Sequence, residues 1–228
     1  MAYETRGDFM IQTIIFDMDG TILNTLTDIT ISVNHALKLK GCKPVTEDQV
    51  RLAVGNGAKK LIERISPSHF TEEDKMVLFS LYQDYYDQHS EMHTGPYEGI
   101  LPLLKTLKSY GFKLAVVSNK YQHLVEKLNE TIFESLFDVA IGETKGIPIK
   151  PAPDMVYLAL ERLNTKNTEA LFVGDAEPDM QTAINASVLS VGVTWGFRTK
   201  EILLAHGAAY IISKPEQLLE VMEEVSHL

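Results

Sequence analysis

Cysteine is almost absent from this chain: Cys42 stands alone among 228 residues. An internal disulfide is therefore excluded, and the composition fits a reducing compartment. The thiol itself reads as a small buried hydrophobe. Nowhere do 18 apolar residues run together, so no transmembrane helix is expected. The stretch Met1 to Met10 carries Glu4, Arg6 and Asp8 with no apolar segment, and does not read as a secretory signal. Positive charge is scarce as well. Lys and Arg number 21 against 31 Asp and Glu, giving a formal net charge of −10. That balance argues against nucleic acid or an anionic membrane as a partner, and any site for an anion must supply its own local cations. There is no internal repeat and no low-complexity tract. The expectation is a soluble, cytoplasmic protein of undetermined oligomeric state.

What is present is a globular composition, 45% hydrophobic and 23% charged, over a length that suits one large domain or one domain with an insertion. Thr13 to Phe16 reads as a buried strand. From Leu26 to His93 the pattern is helical throughout. Leu26, Ile29, Val33, Ala36 and Leu37 recur at helical spacing up to Gly41 and Pro44. Thr46 with Gln49 forms a capping-box pattern for a helix to about Ala53, Ala58 to Ile65 is helical, and Thr71 with Asp74 opens a helix to about Glu91. Gly95-Pro96 and Gly99 read as a linker. Helix and strand then alternate: strands at Lys113–Val117, Val139–Gly142, Ala170–Val173, Ser190–Val193 and Tyr210–Ile212, with helices between them. Such alternation implies a doubly wound parallel α/β sheet. The domain expectation is an α/β core from residues 1–24 and 94–228 and an inserted all-helical domain from residues 25–93.

Ligands in open α/β sheets bind outside the carboxyl ends of the strands. The first strand runs into Asp17-Met18-Asp19-Gly20-Thr21, where two carboxylates one residue apart invite a cation and Gly20 permits a tight turn. The second ends in Ser118-Asn119-Lys120. Ala170–Val173 leads to Gly174-Asp175, with Asp179 four residues later, and Lys150 lies in a proline-rich loop before a helix. Each of these has an ordinary structural use taken singly: turn former, helix cap or solvated charge. Together they supply a nucleophile, a hard-cation site and positive donors, the parts that phosphoryl transfer requires.

In this order, Asp17-Met18-Asp19-Gly20-Thr21, Ser118-Asn119, Lys150-Pro151 and Gly174-Asp175 with Asp179 resemble the haloacid dehalogenase-like hydrolase superfamily, whose core is Rossmann-like. The helical insert resembles its cap domain. Val54-Gly55-Asn56-Gly57-Ala58 and Gly192-Val193-Thr194-Trp195-Gly196 are similar to the phosphoglycolate phosphatases within it. The resemblance implies that Asp17 attacks phosphorus to form an aspartyl-phosphate, and that Asp19 acts as general acid and then base. It implies Mg²⁺ held by Asp17, the Asp19 carbonyl and Asp175, with Asp179 holding the water shell or orienting the ligands. Gly20, Thr21, Ser118 and the Asn119 backbone would bind the phosphoryl group, and Lys150 would stabilise the transition state.

For a substrate as small as 2-phosphoglycolate, Gly55, Asn56 and Gly57 are candidates to meet the carboxylate, although Gly-Asn-Gly equally marks a plain turn. Asn24, Ala176 and Ser187 depart from the commonest residues of the superfamily; Ala176 is expected to weaken the support of Asp175. The expected partner is a small phosphorylated metabolite. A pyrophosphatase, a sugar-phosphate phosphatase or mutase, and a phosphoacceptor receiver are the alternative readings.

Overall fold

The computed structural model describes residues 11–226, so the reading of Met1 to Met10 lies outside the described residues. The chain forms two compact units, one from Leu23–Gly95 and the other from the residues up to Ile22 together with those from Pro96 onward.

The chain enters through β1 (Thr13–Phe16) and passes a two-residue strand, β2 (Leu23–Asn24). Four helices follow: α1 (Leu26–Leu39), α2 (Glu47–Ala53), α3 (Gly57–Ile65) and α4 (Glu72–His89). The predicted capping box at Thr46 forms, and the helix start predicted at Thr71 is a capping box too. Gln49 N–H donates to Thr46 Oγ1 at 3.2 Å and Asp74 N–H to Thr71 Oγ1 at 3.1 Å, satisfying donors that a helix start otherwise leaves open. Asp28, 2% exposed in the first turn of α1, accepts the backbone N–H groups of His93 and Thr94 and the Thr94 hydroxyl at 2.8–3.0 Å. Cys42 is only half-buried, because it follows the left-handed Gly41 at the end of α1, where the chain turns outward. The expectation of a buried thiol is corrected accordingly. β3 (Gly95–Pro96) then pairs with β2. The sequence reads Gly95-Pro96 as linker, since two-residue strands carry no periodicity.

After β3 come α5 (Ile100–Ser109), β4 (Lys113–Tyr121), α6 (Gln122–Thr131), β5 (Val139–Glu143), α7 (Asp154–Leu163), β6 (Ala170–Gly174), α8 (Glu177–Ala186), β7 (Leu189–Val193), α9 (Lys200–Ala205), β8 (Tyr210–Ile212) and α10 (Gln217–Ser226). Six strands make one sheet in the order β5-β4-β1-β6-β7-β8, every pair parallel. β1 lies between β4 and β6, where successive connections leave in opposite directions, the place at which such sheets open a crevice.

Thr13–Phe16 is buried throughout because both faces of a central parallel strand are covered. Ile15 joins an apolar cluster with Met155, Val156 and Ala159 of α7 and Ala183 and Ala186 of α8. Phe16, on the other face, meets Phe137 edge-on with ring centroids 6.1 Å apart. β4 extends past its predicted end at Val117, with a register shift between Val117 and Tyr121. Ser187 takes the left-handed conformation (φ 55°) that ends α8, which explains why glycine would be at ease there. No helix among the described residues is long and apolar enough to cross a membrane.

Candidate active site

Asp17 leaves β1 while its backbone N–H still pairs with Val173 O at 2.9 Å, so its position is fixed by the sheet itself. Met18 is fully buried beneath the turn, and its carbonyl accepts the N–H groups of Thr21 (3.3 Å) and Ile22 (3.1 Å). Gly20 takes φ 89°, and a Cβ there would stand 2.4 Å from Asp175 Oδ2, so only glycine fits.

Asp175 follows β6 with no exposed surface. Its Oδ1 accepts the Thr21 hydroxyl at 3.0 Å and its Oδ2 the Phe197 N–H at 2.7 Å. Thr21 thereby commits its one hydroxyl proton to Asp175, which makes its side chain a support for that acid rather than a free donor to a ligand. Asp179 sits in the first turn of α8. Its Oδ2 accepts the N–H groups of Asp175 (3.1 Å) and Ala176 (2.9 Å). Ala176 thus contributes through its backbone. Lys150 Nζ donates at 2.6 Å both to Asp17 Oδ1 and to Asp179 Oδ1, and is itself 2% exposed. Asn119 locks the Lys150 backbone: its Oδ1 accepts the Lys150 N–H at 2.8 Å and its Nδ2 donates to Lys150 O at 3.0 Å. Ser118 is buried, with Oγ 3.4 Å from the Lys120 N–H that it accepts.

Burial pushes the Asp17 carboxyl up to about 7; the charge of Asp179 adds to that, and Lys150 opposes it. Burial, then Asp179 and Asp17, raises Asp175 well above the carboxylate range against the Phe197 and Thr21 hydrogen bonds. Burial alone would lower the Lys150 ammonium, but Asp17 and Asp179 outweigh it and hold the group above its ordinary value. The cluster is short of positive charge. Oxygens of Asp17, Asp175 and Asp179 lie within 4.8 Å of one another, an all-carboxylate set suited to a hard divalent cation. Four carboxylates, counting Asp19, face the two ammonium groups of Lys120 and Lys150. Full ionisation therefore leaves −2, which one such cation cancels.

Sequence reasoning names Trp195-Gly196 only as part of a motif and gives the segment Trp195-Gly196-Phe197-Arg198 no part in the site. Trp195 Nε1 donates to Thr21 O at 2.9 Å, Phe197 N–H holds Asp175, and a Cβ on Gly196 would come within 2.4 Å of Asp175 Cβ and of Gly20 O. Arg198 Nε donates to both carboxylate oxygens of Glu177 at 2.8 and 3.0 Å, tying this segment to α8. The glycine is the only local signal. Lys120, named at its strand end, is likewise given no role there, although its side chain is 4% exposed and Nζ lies 3.1 Å from Asp19 Oδ1.

Gly55, Asn56 and Gly57 belong to the helical unit. Gly55 (φ 112°) and Gly57 (φ 81°) are both left-handed, and Asn56 puts no side-chain cap on α3 because its Oδ1 accepts Arg64 Nη2 at 2.8 Å.

The haloacid dehalogenase-like hydrolase family model matches residues 14–193. The phosphoglycolate phosphatase of Aquifex aeolicus is 31% identical over 211 residues, which cover 92% of this chain and 96% of that protein. The pyrophosphatase PpaX of Bacillus mycoides is 27% identical, over 95% and 99% of the two chains. A crystal structure from Lactobacillus delbrueckii subsp. bulgaricus, of a candidate phosphoglycolate phosphatase, has 34% identity and a TM-score of 0.88 over 92% of this chain and 98% of its own. A match across most of the chain, over a parallel sheet that gathers acids at its carboxyl edge, makes this chain a member of the haloacid dehalogenase-like hydrolase family.

Proposed function

We propose that this protein is a Mg²⁺-dependent phosphatase of small phosphomonoesters, with 2-phosphoglycolate its foremost substrate, acting in the cytoplasm. The observation that carries this reading is the Asp17 carboxylate at the end of β1, grouped with Asp175 and Asp179 and held by Lys150 at 2.6 Å. A fixed, buried carboxylate of that kind is a nucleophile with its orientation already set.

Asp17 Oδ attacks phosphorus, and the bond from phosphorus to the ester oxygen breaks. Asp19 gives its proton to the departing oxygen, so that glycolate leaves as an alcohol. Asp19, now a carboxylate, takes a proton from water as that water attacks the phosphorus of the aspartyl-phosphate. The bond from phosphorus to Asp17 breaks, and phosphate leaves. Ser118, the Asn119 backbone and the N–H groups around Gly20 bind the phosphoryl oxygens. Lys150, pinned by Asp179 and by the Asn119 hydrogen bonds, meets the charge that builds in the transition state. Asp17, Asp175 and the Asp19 carbonyl would hold the Mg²⁺, with Asp179 on its water side. When bound, the ion supplies charge that keeps Asp17 ionised and offsets its repulsion of the phosphate.

The helical unit, residues 25–93 in this reading, is assigned the part of a cap, and Gly55-Asn56-Gly57 that of meeting the substrate carboxylate. The left-handed glycines and the open N-terminus of α3 support it. Pyrophosphate hydrolysis is the second reading, favoured by the likeness to the Bacillus mycoides pyrophosphatase. The test is a substrate panel of 2-phosphoglycolate, pyrophosphate and sugar phosphates on the purified protein and on Asp17→Asn. Turnover of 2-phosphoglycolate that falls on the order of 10⁴-fold or more in the variant is expected; an Asp17→Asn protein of normal activity would refute the mechanism.

A further inference from the structure

Lys120 is a buried cation at this edge of the sheet that the mechanism above does not employ. β4 is buried without a break from Leu114 to Lys120, covered on both faces as β1 is, and its register with β5 shifts before Tyr121. The Lys120 side chain is 4% exposed. A buried ammonium is costly unless something anionic stays near it. One carboxylate near it is that of Asp19, with Nζ 3.1 Å from Oδ1. The contact is an ion pair lying off hydrogen-bond alignment, for that same Asp19 oxygen is buried and accepts no hydrogen bond. Lys150 donates to the carboxylates of Asp17 and Asp179 at 2.6 Å. The two lysines are therefore not equivalent: one is bound to the acid proposed as nucleophile, the other stands beside the acid proposed to serve the leaving group.

We propose that Lys120 is a specificity-determining residue that selects substrates whose leaving group carries an anion close to the scissile oxygen. The assignment rests on the phosphatase reading, in which Asp19 hydrogen-bonds the departing oxygen. If Asp19 reaches that oxygen at a normal hydrogen-bond length of about 2.8 Å, the ammonium stands within roughly 6 Å of it. A carboxylate on the adjacent carbon falls in that range, and so does a second phosphoryl group. An uncharged leaving group gains nothing from the ammonium. Such a side chain suits both an ester of a hydroxy acid and a phosphoanhydride, the substrates that the names of two relatives specify. Gly55-Asn56-Gly57 is assigned to the same carboxylate on other grounds, and separate variants test the two.

The experiment compares kcat/KM for 2-phosphoglycolate, for pyrophosphate and for 2-hydroxyethyl phosphate, the uncharged counterpart of the first. Lys120→Met removes the charge, and unpairing Asp19 imposes a loss common to all three. Beyond that common loss, the preference for 2-phosphoglycolate over 2-hydroxyethyl phosphate is expected to fall about 10- to 100-fold, the size of one charge-assisted hydrogen bond. A fall in the pyrophosphate preference of similar size assigns Lys120 to both anions; a fall for one alone names the anion it takes. Lys120→Arg keeps the charge and should keep most of the preference. Lys120→Gln serves where the methionine variant does not fold. An unchanged preference in the soluble neutral variant overturns the proposal. So does a wild-type enzyme that hydrolyses all three without preference, while Asp17→Asn still abolishes turnover; that result leaves the phosphatase reading standing.

Discussion

Phe197 donates its backbone N–H to Asp175 Oδ2 at 2.7 Å, across 22 residues of sequence, and the contact is possible only because the residue before it has no side chain. Gly196→Ala would put a methyl group 2.4 Å from Asp175 Cβ and from Gly20 O, both of them parts that cannot swing aside. The expected result is a displaced segment, a Phe197 hydrogen bond lost, and a less well-oriented Asp175. Overpacking of this kind costs about 1–3 kcal/mol, and in a domain of this size each kcal/mol is worth roughly 2–4 °C of Tm. Calorimetric titration with Mg²⁺ should show weaker binding than wild type. Unaltered Mg²⁺ affinity would show that the segment does not govern Asp175.

The metal-free cluster couples cation binding to protons. Asp17 is raised to about 7, so below that pH the carboxyl must shed its proton before it can serve as a ligand. Apparent Mg²⁺ affinity is expected to climb with pH up to about 7 and to level off above it. Calorimetry in buffers of different ionisation enthalpy should register proton release near pH 6. Activity should vanish with chelator and return with Mg²⁺; full activity in metal-free buffer would rule out the cation.

The same shift fixes the sign of a stability effect. A folded-state pKa raised above its unfolded value gives a contribution that is complete below the unfolded pKa and lost as pH rises through the folded one. The chelated protein is therefore expected to lose Tm between pH 5 and 8 through Asp17. The Mg²⁺-loaded protein should lose less over that range, and identical pH profiles with and without Mg²⁺ would contradict this account.

Lys150→Met removes the counter-ion that Asp17 and Asp179 share. Breaking a buried ion pair from one side costs about 3–5 kcal/mol, which urea denaturation in chelator should reveal. A neutral outcome there would mean that the acids are protonated in the resting protein.

Much of this arrangement was legible because it is local. The strand Thr13–Phe16, the paired acids after it and the capping boxes at Thr46 and Thr71 are each written within a few residues. Asp17, Lys150, Asp175 and Asp179 were legible as strand-end and loop residues, and the sheet brings them into contact. What sequence withheld was long-range or irregular. The burial of Lys120 beside Asp19 is announced by no spacing, and the Phe197 contact belongs to the backbone, which carries no residue-specific mark. Thr21 was read as a donor to ligand, but which oxygen its proton meets depends on Asp175, 154 residues away.

Asp28 binds the backbone of His93 and Thr94 with a buried carboxylate. Asp28→Ala should accelerate hydrogen exchange at those two amides far more than within α2 or α3, because two donors lose their acceptor at once. Uniform acceleration across the helical unit would instead indicate global loosening.

β2 pairs with β3 at the two ends of the helical unit. Where the chain departs at Leu23–Asn24 and where it returns at Gly95–Pro96, the two strands run side by side, about 4.8 Å apart as neighbouring strands are. To the sheet, everything between those points is one loop whose closure is already made. That loop can be lengthened or shortened without disturbing a single strand pairing around Asp17. A shortened chain in which residues 25–94 give way to a brief turn is therefore expected to keep a cooperative urea transition, and its failure to fold would show that the insertion had become indispensable to its host.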